Sequence, residues 1–138
     1  MLELELTKDS QQILIPIRLE NVTAGKATYT RCALWDTGAE MSGVSEELAQ
    51  WLHLQRRDVG MYMQSASGIV PVEVATCSMQ LPSGECFEQD VMILPTNDTP
   101  VIVGFDIIKQ GFFSLEPSDL NLLFHFDMKK CPQPPTYH

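Results

Sequence analysis

The 138-residue sequence has no long hydrophobic run and few basic residues. No apolar stretch approaches the roughly 20 residues that a membrane-spanning helix needs, so we expect no membrane segment. Nine Lys and Arg residues stand against 18 Asp and Glu residues, which gives a net charge of −9. Because phosphate binding needs clustered basic side chains, this composition argues against a nucleic-acid partner. The one basic pair within the domain, Arg56-Arg57, is predicted to lie in a solvated loop.

Closely spaced metal ligands are also missing. The sequence has four widely separated cysteines: Cys32, Cys77, Cys86 and Cys131. Without a C-x-x-C pair or paired histidines we expect no metal and no cofactor. Residues 1–6 carry acidic side chains instead of the basic region of a signal peptide, so we expect a cytoplasmic protein with reduced cysteines. The sequons at Asn21 and Asn97 are then predicted to be accidental.

Apolar residues alternate with polar ones along much of the chain, which predicts a mostly-β protein. The first two such segments are Leu2–Leu6 and Ile13–Leu19, and Pro16 within the second indicates an edge position or a β-bulge. The pattern predicts further strands at 27–36, in a hairpin at 59–74 that continues to 81, and at 87–93, 101–103, 112–115 and 120–126.

The hairpin segment contains a change of phase. On its returning arm Val70, Val72 and Val74 share one face, and the apolar positions then switch to Ala75, Cys77, Met79 and Leu81. Such a change within one strand implies a bulge or a bend, because each half must face a different partner. A hairpin that projects beyond the core, with its small polar centre at 64–68, would produce this pattern.

Two short helices are predicted. Ser45 is a suitable N-cap for a helix at about 45–54, and the two Glu residues that follow suit its first turn. A second helix at 105–110 would be stopped by Gly111. Many short strands with few helices predict a single barrel-like domain at 1–128, and the Pro-rich residues 129–138 are predicted to form a flexible tail.

The most informative motif is Asp-Thr-Gly at Asp36, Thr37 and Gly38, which follows an apolar strand. A carboxylate acts as a general base only if it is held rigidly. Gly38 permits a tight turn and lets its amide approach the carboxylate, while Thr37 supplies a hydroxyl that can tie the turn to a facing group. The alternative interpretation is an ordinary Asx turn at the end of a strand.

With its surroundings, the motif resembles that of the retropepsin-like aspartic proteases. The resemblance rests on 33–39, on Val44-Ser45 at the start of the first helix and on the second motif at 102–107, and it spans Ile13 to Phe126. The pattern looks closer to bacterial, stand-alone members of that family than to retroviral ones. It implies a single-lobe closed β-barrel with a flap hairpin.

The resemblance also implies roles for individual residues. The catalytic residues would be Asp36, Thr37 and Gly38. The substrate-binding residues would be Ala39 and the flap tip, that is Ser65, Ala66, Ser67, Gly68 and Ile69. The residues that support the site would be Leu34, Ile102, Val103 and Gly104. The reaction would be hydrolysis of an extended peptide by water activated between two aspartates that share one proton.

One Asp-Thr-Gly in a chain too short for two lobes means that the second aspartate must come from another copy. An active enzyme would therefore be a homodimer, with strands 2–6 and 120–126 as the candidate interface. The alternative is that these chain ends complete the sheet of a single copy.

The sequence departs from the retroviral pattern at two positions. An Arg usually follows the Gly of the second motif and pairs with an acidic residue. This chain has Phe105 at the first position and Glu40 at the second, so the acidic residue lacks its Arg. We expect Phe105 to be a core or interface contact and Asp106 to cap the short helix without a catalytic role. Because of these departures, the alternative function is an inactive module for dimerisation or peptide binding. A ligand-binding β-barrel would explain the strands but not the two motifs.

Overall fold

The computed structural model describes residues 2–128, and for Ser65 only the backbone. These residues form ten strands and two short helices. In chain order they are β1 (Leu2–Thr7), β2 (Leu14–Asn21), β3 (Lys26–Trp35), β4 (Gly43–Ser45), α1 (Glu46–Trp51), β5 (Arg57–Ser65), β6 (Gly68–Gln80), β7 (Cys86–Leu94), β8 (Val101–Val103), α2 (Phe105–Ile108), β9 (Phe112–Pro117) and β10 (Asn121–Asp127).

Seven strands form one sheet in the order β2-β3-β8-β4-β7-β6-β5. A further pairing between β2 and β6 joins the two ends, so six strands make a ring and β5 lies outside it. This confirms the predicted mostly-β, barrel-like fold. The three-residue strand β4, which the sequence pattern did not predict, is needed for the ring because it pairs with both β7 and β8.

The chain ends form a second, three-stranded sheet in the order β1-β10-β9. Leu2 pairs with Phe126 in antiparallel register, and Thr7 pairs with Asn121 at the other end of β1. The terminal strands thus complete the sheet of a single chain, as the alternative interpretation held.

An aromatic cluster joins this terminal sheet to the ring. The indole ring of Trp35, the last residue of β3, lies 5.0 Å from the Phe124 ring and 4.8 Å from the Phe126 ring, centroid to centroid. Edge-on aromatic pairs at such distances contribute beyond their buried area. The strand that precedes Asp36 is therefore anchored at its last residue.

The predicted hairpin is β5–β6, with a two-residue turn between the paired residues Ser65 and Gly68. The predicted change of phase is also present, because Val74 and Ala75 are both buried. The bulge itself lies in the partner strand, since β5 has extra residues between Asp58 and Met61. The predicted irregularity at Pro16 is found as a shift of register between Ile15 and Ile17.

Helix α1 begins as predicted but ends earlier. The Ser45 hydroxyl accepts a hydrogen bond from the Leu48 amide (3.2 Å), whereas the helix stops at Trp51 instead of 54. The helix ends in a local cap: His53 adopts a left-handed conformation, with φ of 53°, and the amides of His53 and Leu54 donate back to the carbonyls of Gln50 (3.1 Å) and Ala49 (3.0 Å). The Asn21 side-chain amide also donates to the carbonyls of Leu52 (2.9 Å) and His53 (3.0 Å). The Asn21 nitrogen, which a glycan would need, is thereby occupied.

The prediction of a solvated loop at Arg56-Arg57 holds in part: Arg56 lies in the loop before β5 but is half-buried, and Arg57 is exposed but belongs to the strand. Arg56 pairs with Glu46 (2.7 Å), and Arg57 opens β5 and pairs with Asp90 (2.6 Å). The hydrogen bond from Arg56 holds the pKa of Glu46 below its ordinary value, and Arg57 does the same for the pKa of Asp90. Both arginines therefore belong to ordered ion pairs that tie β5 to its surroundings.

The three cysteines in the described part of the chain are free thiols on strands. Cys77 is buried, and this burial raises the pKa of its thiol to about 11. Cys32 and Cys86 are exposed. Cys131, like the predicted tail 129–138, falls outside the described residues.

Candidate active site

The Asp-Thr-Gly loop begins where β3 leaves the ring. The Asp36 amide donates to the Val103 carbonyl (2.9 Å), which extends the β3–β8 pairing by one residue. The Asp36 side chain is half-buried, whereas Thr37 and Gly38 are exposed. The carboxylate is therefore held on a rigid strand end while it remains accessible from outside.

The loop turns around the carboxylate itself. The Gly38 amide donates to Oδ1 of Asp36 (2.9 Å), which is the approach that the motif predicted. A Cβ atom at Gly38 would lie 3.3 Å from the same oxygen and would press against it. The Ala39 amide then donates to the Asp36 carbonyl (3.3 Å). This is an Asx turn, so the local geometry alone agrees with both interpretations of the motif.

The second motif lies where it was expected. Strand β8 runs parallel to β3, with Leu34 opposite Ile102 and Trp35 opposite Val103. The structure therefore brings the four residues predicted to support the site next to the Asp36 strand.

Gly104 follows β8 and meets the Asp36 loop at close range. A Cβ atom at this buried position would lie 2.8 Å from the Ala39 carbonyl oxygen and 2.8 Å from the Met41 carbonyl carbon. The next residue, Phe105, donates its amide to the Ala39 carbonyl (2.7 Å). Only glycine lets the two segments approach so closely, because a side chain would displace backbone atoms.

The interpretation of Asp106 as a helix cap needs correction. The N-cap of α2 is Gly104, and the Asp106 carboxylate instead reaches across to Ser42, whose hydroxyl donates to Oδ1 (2.7 Å). It also accepts a hydrogen bond from the side chain of Gln89 (2.7 Å). Sequence reasoning missed Ser42 and Gln89. The one available signal was a serine six residues after Asp36, between Met41 and Gly43-Val44.

Phe105 is 48% exposed, which rules out the predicted core contact and leaves the interface contact as the prediction. Its backbone bond to Ala39 places the residue beside the Asp36 loop. Glu40 is exposed in the same loop.

The residues predicted to bind substrate are separated in the structure. Ala39 lies in the Asp36 loop and is half-buried, whereas 65–69 form the tip of the β5–β6 hairpin. Ile69 is 70% exposed and lies opposite Gln64, on the face of the hairpin that also carries Tyr62. The half-buried residues Met63 and Val70 share the other face. A substrate contact by the tip stays a prediction.

Other kinds of site receive little support from residues 2–128. Within that range no group of three or more His, Cys, Asp or Glu side chains could hold a metal ion. No helix in the described part of the chain is long and apolar enough to cross a membrane.

Known proteins match this chain in structure but not in sequence. No protein-family model and no curated protein matches the chain. Its structure is similar to that of EIAV protease complexed with the inhibitor HBY-793, with a TM-score of 0.55, 14% identity, and coverage of 74% of this chain and 89% of that one. It is also similar to a retropepsin-like aspartic protease from Rickettsia conorii, with a TM-score of 0.58, 12% identity, and coverage of 88% and 89%. The chain thus has a retropepsin-like fold, which confirms the expectation drawn from its two motifs.

Proposed function

We propose that the protein is an aspartic endopeptidase in which two copies each contribute Asp36. The observation that carries the proposal is the geometry of this carboxylate within a retropepsin-like fold. It is half-buried at the end of a central strand, with one oxygen oriented by the Gly38 amide at 2.9 Å. A rigid and accessible carboxylate is what general-base activation of water requires.

The second carboxylate has to come from another copy, because the sequence has a single Asp-Thr-Gly. Two carboxyl groups that meet across a twofold axis cannot both be charged, so the pair shares one proton. Thr37 is exposed beside Asp36, and its hydroxyl is available to meet the same residue of the second copy.

The reaction then follows from the shared proton. The charged carboxylate takes a proton from water while the water oxygen attacks the peptide carbonyl carbon, and the protonated carboxyl group donates its proton to the carbonyl oxygen. The carboxyl group that took the proton from water then gives it to the peptide nitrogen, and the carbon–nitrogen bond breaks. The other carboxylate takes a proton back from a hydroxyl group of the intermediate, which restores the shared proton. No covalent adduct with the protein forms. The β5–β6 hairpin would act as a flap that closes over the extended peptide and excludes water.

Two surfaces are suited to the twofold contact. Strand β1 is an edge of the terminal sheet, so its free side can pair with a second copy even though its other side is bonded to β10. The exposed ring of Phe105 is the second surface, because its burial in a dimer would remove an apolar group from water beside the Asp36 loop.

An inactive module for dimerisation or peptide binding is the second candidate. The observation that favours it is Phe105, which stands where retroviral members usually have an Arg that pairs with an acidic residue. Without that ion pair the loop must be held by other contacts, and the fold could persist without turnover.

One experiment separates the two. Wild-type protein, Asp36→Asn and Asp119→Asn are incubated with an unstructured peptide library across pH, with and without a statine-type transition-state analogue. Asp119 is an exposed acid in the β9–β10 connection, so its variant makes the same chemical change away from the site. We expect cleavage by wild type and Asp119→Asn, inhibition by the analogue, and no cleavage by Asp36→Asn. Cleavage by Asp36→Asn, or by none of the three proteins, would refute the peptidase.

A further inference from the structure

We propose that Asp106 is a positioning residue that acts through Ser42 to hold the Asp36 loop in place. Neither residue touches the reacting atoms in this scheme. The proposal rests on the proposed peptidase function for its effect on catalysis, but the structural link itself can be measured without turnover.

Ser42 closes the Asp36 loop, and each of its polar groups is bonded. The residue is fully buried, with 0% exposure. Its amide donates to Oδ2 of Asp106 (3.0 Å), and its hydroxyl donates to Oδ1 (2.7 Å). The hydroxyl also accepts from the Gly104 amide (2.9 Å), while the Ser42 carbonyl accepts from the Met92 amide (2.9 Å). One side chain therefore joins the loop to the segment that follows β8, and its backbone joins the loop to β7.

Each oxygen of the Asp106 carboxylate accepts two hydrogen bonds. Oδ1 accepts from the Ser42 hydroxyl and from the Ile107 amide (2.9 Å). Oδ2 accepts from the Ser42 amide and from the side chain of Gln89 (2.7 Å). An ionised carboxylate can accept all four bonds, because it has two oxygens and no donor of its own. An Asn side chain cannot, since its NH₂ group would face a backbone amide in either orientation, that of Ile107 or that of Ser42. The arrangement therefore favours a carboxylate at this position.

These bonds reach Asp36 through the backbone. Hydrogen bonds hold the loop from 36 to 42 at its start (Asp36 to Val103), in its middle (Phe105 to Ala39) and at its end (Gly104 to Ser42). Loss of the bonds at Ser42 would let the 104–106 segment move relative to the loop. A displacement of about 1 Å that originates away from the reacting groups can lower a rate by about 100-fold.

The test compares Ser42→Ala, Asp106→Asn and the double variant with Val91→Ala. Val91 is a fully buried residue of β7, so its truncation lowers stability without touching the network. At a temperature where all variants are folded, we expect the two single variants to lose about 10- to 100-fold in kcat with little change in KM. The loss in the double variant should be smaller than the two single losses combined, because both changes remove the bond between the Ser42 hydroxyl and Asp106. Wild-type kcat in Asp106→Asn, or an equal loss in Val91→Ala, would overturn the proposal.

Amide hydrogen exchange supplies a readout that does not depend on catalysis. We expect the amides of Gly104 and Phe105 to exchange faster in Asp106→Asn than in Val91→Ala of similar stability. Unchanged exchange at these amides would overturn the positioning role. Absence of cleavage by wild type together with faster exchange would instead refute the peptidase and keep the structural link.

A measurement on the wild type covers the case in which the variants do not fold. A buried hydroxyl that donates to a carboxylate at 2.7 Å should give a slowly exchanging Ser42 hydroxyl proton in the NMR spectrum. Rapid exchange of that proton with water would show that the bond is not held in solution, and would also overturn the proposal.

Discussion

Replacement of Gly104 by Ala tests the close contact on which the candidate site depends. The residue has φ of −94° and ψ of −176°, an extended conformation that any residue adopts, so the backbone itself does not require glycine. The obstacle is space, since a Cβ atom would lie 2.8 Å from both the Ala39 oxygen and the Met41 carbonyl carbon. Both are backbone atoms of the Asp36 loop, and the loop must shift to make room.

Two opposing effects determine the size of the change. Alanine restricts the unfolded chain more than glycine does, which would stabilise the protein by about 0.4–1 kcal/mol. Forcing an extra carbon into a packed site costs about 1–3 kcal/mol. We therefore expect a net loss of roughly 1–2 kcal/mol, which for a urea m-value of about 2 kcal/mol/M lowers the midpoint of unfolding by roughly 0.5–1 M.

The matched control is Gly111→Ala, measured by urea unfolding at the same protein concentration. Its Cβ atom would lie 2.6 Å from the Asp127 carbonyl oxygen and 2.8 Å from the Phe126 ring, so it presses on the terminal sheet and not on backbone atoms of the Asp36 loop. We expect both variants to lose stability but only Gly104→Ala to lose peptide cleavage beyond its unfolded fraction. Wild-type stability of Gly104→Ala would refute the steric reasoning. Equal loss of cleavage in both would refute the link to the site.

Three further predictions concern other parts of the molecule. At pH 8 iodoacetamide should label Cys32 and Cys86, which are exposed, and spare Cys77, whose buried thiol has its pKa raised to about 11. Labelling of Cys77 without denaturant, read by peptide mass spectrometry, would contradict this. In sedimentation experiments, Phe105→Glu should weaken dimerisation. Raised salt should strengthen dimerisation of the wild type, because two copies with a net charge of −9 each repel and salt screens that repulsion. Dimerisation that does not depend on salt, or that the substitution leaves unchanged, would count against this interface. Arg56→Gln should destabilise the fold at pH 7 by under about 1 kcal/mol, because the pair with Glu46 is partly exposed. The pKa of Glu46 is lowered in the folded state, so the stabilisation is present above the ordinary value of 4.5 and is lost as the pH falls through the folded pKa. Unfolding midpoints that differ as much at pH 3 as at pH 7 would argue against that ion pair.

Local patterns predicted most of the strands and the place of Asp36. Alternation in Leu2–Leu6 marked β1, the change of phase at Val74 marked the point where the hairpin leaves the ring, and Ser45 marked the start of α1. Each of these signals depends on side chains a few residues apart, so the local sequence is sufficient to predict the element.

The support of the candidate site could not be predicted in this way. Ser42 and Asp106 are 64 residues apart in the chain, and Asn21 lies 31 residues before the Leu52 carbonyl to which it donates. Side-chain periodicity says nothing about which distant polar groups will meet. Asp106 was therefore interpreted as a local cap, and the short strand β4 was missed.

The sequence alone determined that this chain is mostly β and that an aspartate stands at the end of an apolar strand, because strand alternation and the sterics of glycine act over a few residues. Only the tertiary structure decided that the terminal strands complete the sheet of a single chain, that Phe105 is exposed beside the Asp36 loop, and that a buried serine joins that loop to Asp106. Those arrangements arise when the ring closes, since closure brings together residues more than 60 positions apart and leaves each buried polar group in need of a partner.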